Sequence, residues 1–452
     1  MWGIMMPILL LCCGSYLSFS TGFFHIRKGN FILRNTIGAF IQKEKRNISS
    51  TAGISPLQAV STALAGTVGT GCIAGVSTAI ALAGAGAVFW MMLSAFFGMI
   101  IKYAEIILSI KFRDKRKNGT PIGGPMYYIL YGMKAKPLAF LFSFFAMFAC
   151  LGTGNAVQSN SIAVSMKSLL NFTPIITGVI VAVITGIVIF GSVKRIAAMN
   201  EKLVPFMISM YFICCLIVIF IYYKRIPDAL CKIIGSAFSL DSLCGGACGY
   251  SIFATIRHGF SYGLLSNEAG LGTAPIAHGA SQVDNAVKQG LWGIFEVYFT
   301  TILMGTLTAL VILLSGMTEQ STDVGIALAE KAFNSAVPHL GDIGVSLSVI
   351  FFALSSVLGW ALYGETAVCF LFGERKLYLF LYRFCYLAVI LISSVISVNL
   401  VWEASLFLNA LMSLPNLIAV WKLTPLVASE TRDFVSKNKK RRELHDIKRP
   451  SE

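Results

Sequence analysis

The run from Pro56 to Ala83 is apolar and long enough to cross a bilayer, yet Gly66, Gly69, Gly71 and Gly75 put four glycines within ten of its residues. Each glycine costs about 1 kcal/mol relative to alanine in a helix interior, so the stretch Gly66-Thr67-Val68-Gly69-Thr70-Gly71-Cys72-Ile73-Ala74-Gly75 is a poor continuous helix. A bilayer offers no water to backbone groups released by a break. Irregular backbone persists at that depth only where protein encloses it or where it lines a cavity. The segment therefore reads as a binding site made of backbone, with the rest of the chain as its housing. The competing reading is a glycine-rich helix packed closely on a neighbour. Two threonines inside the break, and a second broken span further on, favour a site.

Of 452 residues, 56% are hydrophobic and only 13% charged, against about 25% charged in a soluble domain; the mean hydropathy is +0.75. Runs of about twenty apolar residues mark membrane spans. Eleven such runs fall near 2–22, 56–82, 87–110, 138–166, 173–190, 203–222, 246–270, 290–314, 343–372, 377–398 and 401–427. The fold class expected is an all-α, multi-pass membrane protein. The net charge of +15 does not point to nucleic acid, because the basic residues lie in loops and a tail between apolar runs. Counted on alternate sides, one side collects 28 Lys and Arg and the other five. The richer side belongs in the cytoplasm, which predicts a cell inner membrane protein with its N-terminus outside and its C-terminus inside.

Met1 to Phe24 has no basic stretch ahead of it and reads as a first transmembrane helix rather than a cleaved signal peptide. His25 to Arg46 is basic and amphipathic and is expected along the membrane surface. Gly119 to Lys136, containing Gly123-Gly124-Pro125-Met126-Tyr127-Tyr128, is too short to span and is expected to dip into the interface or re-enter. The basic tail, 429–452, is expected to be disordered or surface-bound. Most of the eleven cysteines lie inside apolar spans and read as small hydrophobes. Cys231, Cys244 and Cys248 fall near one membrane face and are expected as free thiols, a disulfide being the alternative if that face is oxidising.

Gly259 to Gly272 again mixes glycines with polar residues in an apolar setting. Five spans begin with the first broken helix and five with the second, and the two breaks enter from opposite sides. The chain thus divides into an N-terminal helix with its basic segment (1–50), a first five-helix repeat (51–225), a second, inverted repeat (226–428) and the tail (429–452). Paired glycine-interrupted helices in inverted halves point to a secondary transporter with its site at their junction.

Each break leaves half-helices with free ends near the midplane. N-terminal ends suit a carboxylate, and C-terminal ends with unwound carbonyls suit Na+ or an ammonium group. Thr67 and Thr70 add hydroxyls. In the fourth span Gln158 reads as a ligand, while Asn155 and Asn160 read as interhelical hydrogen-bonding groups. In the ninth span Ser355 and Ser356 are hard oxygen ligands suited to a small cation, and Trp360, one turn from Ser356, shares its face; taken alone, serines back-bonding to their own helix are the simpler reading. Lys102 and Glu105, three apart, are expected to neutralise each other. Glu268, beside the second break, is expected to cap freed N–H groups or relay protons. Arg257, Glu296, Glu365 and Glu403 are expected to be paired or near an interface. No catalytic constellation occurs: there is no HExxH, no GxSxG and no Walker loop. No cofactor is called for beyond a coupling ion, and no protein partner is indicated.

The stretches Thr67–Gly71, Ile73–Val76, Gly123–Tyr128, Gly154–Asn155, Lys194–Ile196, Glu201–Pro205, Ser266–Gly272 and Leu358–Trp360 together resemble the alanine or glycine:cation symporter family over nearly the whole chain. The resemblance implies the leucine-transporter fold, a 5+5 inverted repeat with two broken helices plus one extra N-terminal helix. It also implies symport of alanine or glycine, D or L, driven by Na+ or less often by H+. By position, a substrate carboxylate would meet Gly69, Thr70 and Gly71 with Thr67 and Gln158 nearby, and Ser356 and Trp360 would bound the pocket. One Na+ would take carbonyls of Ala65 and Val68 and hydroxyls of Ser355 and Ser356. The chain also departs from the family. Cys72 stands where asparagine is expected, and a thiol is a poor ligand for a hard cation, so a second sodium is not expected. Ala83-Gly84-Ala85-Gly86 lacks the usual Gly-Gly-Pro-Gly turn. Tyr262 and Leu265 replace Arg and Phe, and the chain starts somewhat later than is typical.

These readings converge on Na+-coupled symport of a small neutral amino acid by alternating access. Proton coupling, or an amino-acid sensor of the same fold with little flux, are the alternatives. A channel is opposed by the inverted breaks.

Overall fold

In hydrocarbon a single segment can satisfy its own backbone only as a helix, and each unbroken apolar run of the sequence folds as one. The computed structural model describes residues 5–38, 53–238, 252–283, 285–396 and 398–447. Helix α1 (Met5–Ser20) precedes a first set of spans. These are α2 (Pro56–Thr67) with α3 (Ala74–Ala83), α4 (Gly86–Lys111), α5 (Lys136–Leu151) running into α6 (Val157–Leu170), α7 (Pro174–Ile189) and α8 (Val193–Ile221). After α9 (Ile226–Phe238) the order repeats with α10 (Ile252–Asn267) and the short α11 (Ala274–Gly279), then α12 (Ala286–Val297) running into α13 (Gly305–Ser315). Beyond the connecting α14 (Ile326–Ala336) come α15 (Ser346–Phe372), α16 (Lys376–Val395) and α17 (Val398–Lys422). Among the described residues seven helices are long and apolar enough to span a bilayer, and Pro56–Thr67 with Thr70–Ala83 adds an eighth span bent by 56°. With α1, α7 and the interrupted α10–α11 they occupy the runs expected from hydropathy.

The two broken spans lie side by side in opposite senses. Ile54, at the entry of the first, pairs with Ala280 and Gln282, at the exit of the second, through Ile54 N–H to Ala280 O (3.3 Å) and Gln282 N–H to Ile54 O (3.0 Å). Helix α4 runs parallel to the second break: Gly263 faces Met91 and Ser94, Gly98 faces Asn267, and the Ser109 hydroxyl donates to Pro275 O at 2.6 Å. Helix α15 runs antiparallel to α2. Its Tyr363 hydroxyl meets Thr62 O (3.3 Å), its Trp360 Nε1 meets Gly66 O (3.3 Å), and its Ser356 hydroxyl meets Ala65 O (2.8 Å).

The segment expected to dip or re-enter turns inward. A small hairpin pairs Asp114–Lys115 with Pro121–Ile122, and the turns that follow bury Met126, Tyr128 and Ile129 completely. Of the basic segment after α1, two short helices fold back on α4, Phe24 against Tyr103 and His25 against Phe96; residues 39–46 lie outside the described residues, as do Cys244 and Cys248. The tail differs from expectation. Residues Thr424–Ile447 form α18, and its first turns dock on α4, with Thr431 hydrogen-bonded to the Tyr103 hydroxyl at 2.8 Å and Glu430 ion-paired with Lys111. The apolar and hydroxyl groups of that first part are enough to seat it, and the run of basic residues starts only beyond Phe434.

Candidate functional site

Helix α2 begins on a Ser55/Gln58 capping box and stops at Thr67, where the glycines begin. Between α2 and α3 the chain makes a single tight turn at Thr70–Cys72. The interruption leaves the last carbonyls of α2 without intrahelical partners, and α15 supplies donors. The Ala65 carbonyl accepts from Ser356 (2.8 Å) and Ser355 (3.4 Å), and the Gly66 carbonyl accepts from Trp360 Nε1 (3.3 Å) and Ser356 (3.4 Å). Ser355 also back-bonds to Phe352 O at 2.8 Å. The back-bond that the sequence suggested is therefore present, beside a bond to the first break. On the other side of the break Gln158 Oε1 accepts from Thr70 N–H at 3.4 Å, while its amide group donates to Thr153 O at 3.3 Å.

These groups close on one another. A Cβ on Gly69 would lie 2.7 Å from the Ser356 hydroxyl and 3.3 Å from Gln158 Oε1. Thr67, Thr70, Gln158, Ser355, Ser356 and Trp360 are all buried, and the Thr70 hydroxyl has no hydrogen-bond partner. Val68 is buried beside them and Gly71 abuts the Leu265 carbonyl. Thus residues of α2, the turn after it, α6 and α15 come together, buried, at the first break. As expected, Asn155 and Asn160 are interhelical, donating to Tyr386 O (2.7 Å) and Ser393 O (2.8 Å).

The second break lies later than the glycines suggested. Gly259 and Gly263 sit inside α10 and permit close packing: a Cβ on Gly259 would fall 2.5 Å from Trp90 Cβ and 2.6 Å from the Ala87 carbonyl. The interruption is Glu268–Thr273, where Glu268, Gly270 and Gly272 have φ of 54°, 84° and 80°. The left-handed position after a helix usually takes glycine, so a glutamate there holds its conformation for its side chain. Its carboxylate accepts from the Thr273 hydroxyl at 2.6 Å across the break.

Lys102 and Glu105 do not pair with each other as expected. Lys102 Nζ reaches Glu296 (3.3 Å), the Asn267 carbonyl (3.0 Å) and the Thr67 hydroxyl (3.2 Å). Glu105 instead accepts from Asn416 and faces the backbone N–H groups of Gly270 and Gly272. The two side chains leave α4 toward opposite ends of the second break, the ammonium toward the carbonyl end and the carboxylate toward the N–H groups. Glu365 pairs with Arg383 at 2.7 and 2.9 Å, Arg257 is exposed, and the side chain of Glu403 lies outside the described residues.

The sodium:alanine symporter family matches residues 1–448. The chain belongs to that family. It is 38% identical over 440 residues to the sodium/alanine symporter AgcS of Methanococcus maripaludis, covering 96% of this chain and 94% of that one. It is 33% identical over 439 residues to a probable sodium/glutamine symporter of Bacillus subtilis, covering 97% and 89%. A manganese transporter of Eremococcus coleocola, solved with an aromatic bis-isothiourea compound, superposes with a TM-score of 0.51 at 13% identity, covering 86% of this chain and 80% of that one. At that identity the likeness concerns the fold alone.

Within this transporter two of the departures from the family pattern, Cys72 and Tyr262, occupy defined places. Cys72 is fully buried with its sulfur 3.7 Å from the Ser266 hydroxyl and 3.7 Å from the Thr300 carbonyl. Tyr262 stacks on His258 with ring centroids 6.1 Å apart. Sequence reasoning missed Asn416, His278 and the outward partners of Lys102. The available signal was two opposite charges, Lys102 and Glu296, in separate apolar spans, since charges at that depth require partners.

Proposed function

We propose that this protein carries a small neutral amino acid, alanine or glycine, into the cell with Na+ by alternating access. The observation that carries the reading is the meeting of α15 with the first break, where Ala65 C=O, Ser355 and Ser356 gather hard oxygens beside Gly69 and the Gln158 amide that accepts from Thr70 N–H. Na+ would be bound by the Ala65 and Val68 carbonyls and the two serine hydroxyls, and the substrate carboxylate by Gly69, Thr70 and Gly71 with Thr67 and Gln158. Trp360 would close the pocket, its ring lying against Gly154. Binding of the cation beside the carboxylate neutralises it in a low-dielectric setting, so each ligand strengthens the other. That mutual dependence is the basis of coupling. Family membership and the AgcS relative support sodium and alanine; the glutamine-symporter relative makes substrate size the open variable.

The test is uptake of labelled alanine into proteoliposomes under imposed Na+ or proton gradients, competed by D- and L-alanine, glycine and glutamine. Uptake driven by Na+ and competed by both alanines and glycine is the expected result. Uptake driven only by protons would move the coupling ion, and uptake that ignores both gradients would sink the reading.

A further inference from the structure

Lys102 has no solvent-exposed surface, and an ammonium group at that depth must be balanced by specific partners. One of them is the carbonyl of Asn267, the last residue of α10, at 3.0 Å. This is the C-terminal end of a half-helix, where backbone carbonyls carry partial negative charge and where broken-helix transporters bind coupling cations. A second partner is the hydroxyl of Thr67, the last residue of α2, at 3.2 Å. The ammonium thus joins the carbonyl-bearing ends of both breaks.

Buried carboxylates lie around the ammonium: Glu296 in direct contact, and Glu268 and Glu105 farther off. Glu296 lies 3.3 Å from Lys102 and accepts from His278 Nε2 at 2.8 Å. Gln289 donates to His278 Nδ1 at 2.9 Å and toward the Pro56 carbonyl at 3.4 Å. Glu296 is thus the carboxylate in direct contact with the ammonium, and His278 with Gln289 behind it holds it in place. Next to it the first break turns the Cys72 thiol, a soft donor, toward Ser266 and the Thr300 carbonyl.

We propose that the Lys102 ammonium is a built-in cation that replaces a second transported ion at the junction of the two broken helices, so that one cation moves with each substrate molecule. The proposal rests on the coupled-symport reading above. It separates Lys102 from the ligand set: the lysine fixes the charge at the second break permanently, and only the Ser355/Ser356 position loads and unloads.

Equilibrium accumulation of labelled alanine against graded ion gradients in proteoliposomes gives the number of cations per alanine. One is expected; two would overturn the proposal, and this count stands whatever happens to variants. The variant to compare is Lys102→Met with Glu296→Gln, which removes the two charges in direct contact together. If Lys102 serves as a cation, the double variant loses uptake at least tenfold, or recovers it only with a steeper, two-ion Na+ dependence. If the pair is merely structural, it transports like the parent with a single-ion dependence, and the proposal fails. Uptake by the parent that ignores both Na+ and protons would defeat the coupling reading instead. Lys102 would then be judged by alanine binding to the double variant, where unchanged affinity overturns its role.

Discussion

At the scale of single residues, the closest approach in the site is between Gly154 and Trp360. A Cβ on Gly154 would overlap the indole and its Cβ, so the tryptophan can keep its place over the break only while residue 154 has no side chain. The same indole donates to the Gly66 carbonyl, so displacing the ring also releases that carbonyl. Gly154→Ala is expected to reduce alanine uptake at least tenfold, with an overpacking cost of about 1–3 kcal/mol in thermal unfolding. Uptake at the parental level would show that Trp360 does not bound the substrate. Glu268 makes a related point from the opposite direction. The sequence marks it as a charge beside a break, but not that it takes a left-handed φ of 54°, because a dihedral angle is fixed by the neighbours that close the turn.

At the scale of elements, the second break is held by a strut from α17. Asn416 donates to the Gly270 carbonyl at 2.8 Å and to Glu105, and accepts from the Tyr128 hydroxyl. It connects the broken helix, α4 and the re-entrant turn through one fully buried side chain. Asn416→Leu keeps the volume and removes the donors, leaving a buried carboxylate and a buried carbonyl short of partners. The expected loss is about 3 kcal/mol of stability, read as a lowered unfolding temperature in detergent, together with weaker alanine binding. An unchanged unfolding temperature would show that the strut carries no load. Elements were more legible in the sequence than their partners. The first break and the face shared by Ser356 and Trp360 follow from local composition and helical spacing. The sequence marks the second break only broadly, over Gly259–Gly272, because Gly259 looks like a breaker but serves helix packing, and only the proximity of Trp90 and Ala87 shows which. Lys102 and Glu105 were assigned to each other for the same reason: spacing along one helix is visible, whereas Glu296 and Asn416 come from distant parts of the chain.

At the scale of the whole molecule, the charge count along the sequence and the packing of the helices can be compared independently. Residues assigned to the basic side come together: Lys111 pairs with Glu430, Arg113 donates to the carbonyls of Ser281 (2.7 Å) and Val283 (3.2 Å), and Arg116, Lys194 and Arg383 line one cavity. The sparse side has its own contacts, with Arg225 donating to Leu314 O at 3.1 Å and Lys331 paired with Asp323. Helix α1 runs alongside α4 in the same direction, Gly14 against Phe97 and Phe24 against Tyr103, so Met5 lies at the end away from Lys111 while α18 docks at the Lys111 end. An excess of Lys and Arg marks the cytoplasmic face. A fluorescent protein fused after α18 should therefore be bright, since it matures in the cytoplasm, and alkaline phosphatase fused between Ser315 and Asp323 should be active, since it folds outside. The reverse pattern would invert the molecule. In the orientation the charges predict, the Arg383–Glu365 ion pair (2.7 Å) lies toward the cytoplasmic end and Arg225 toward the outer one.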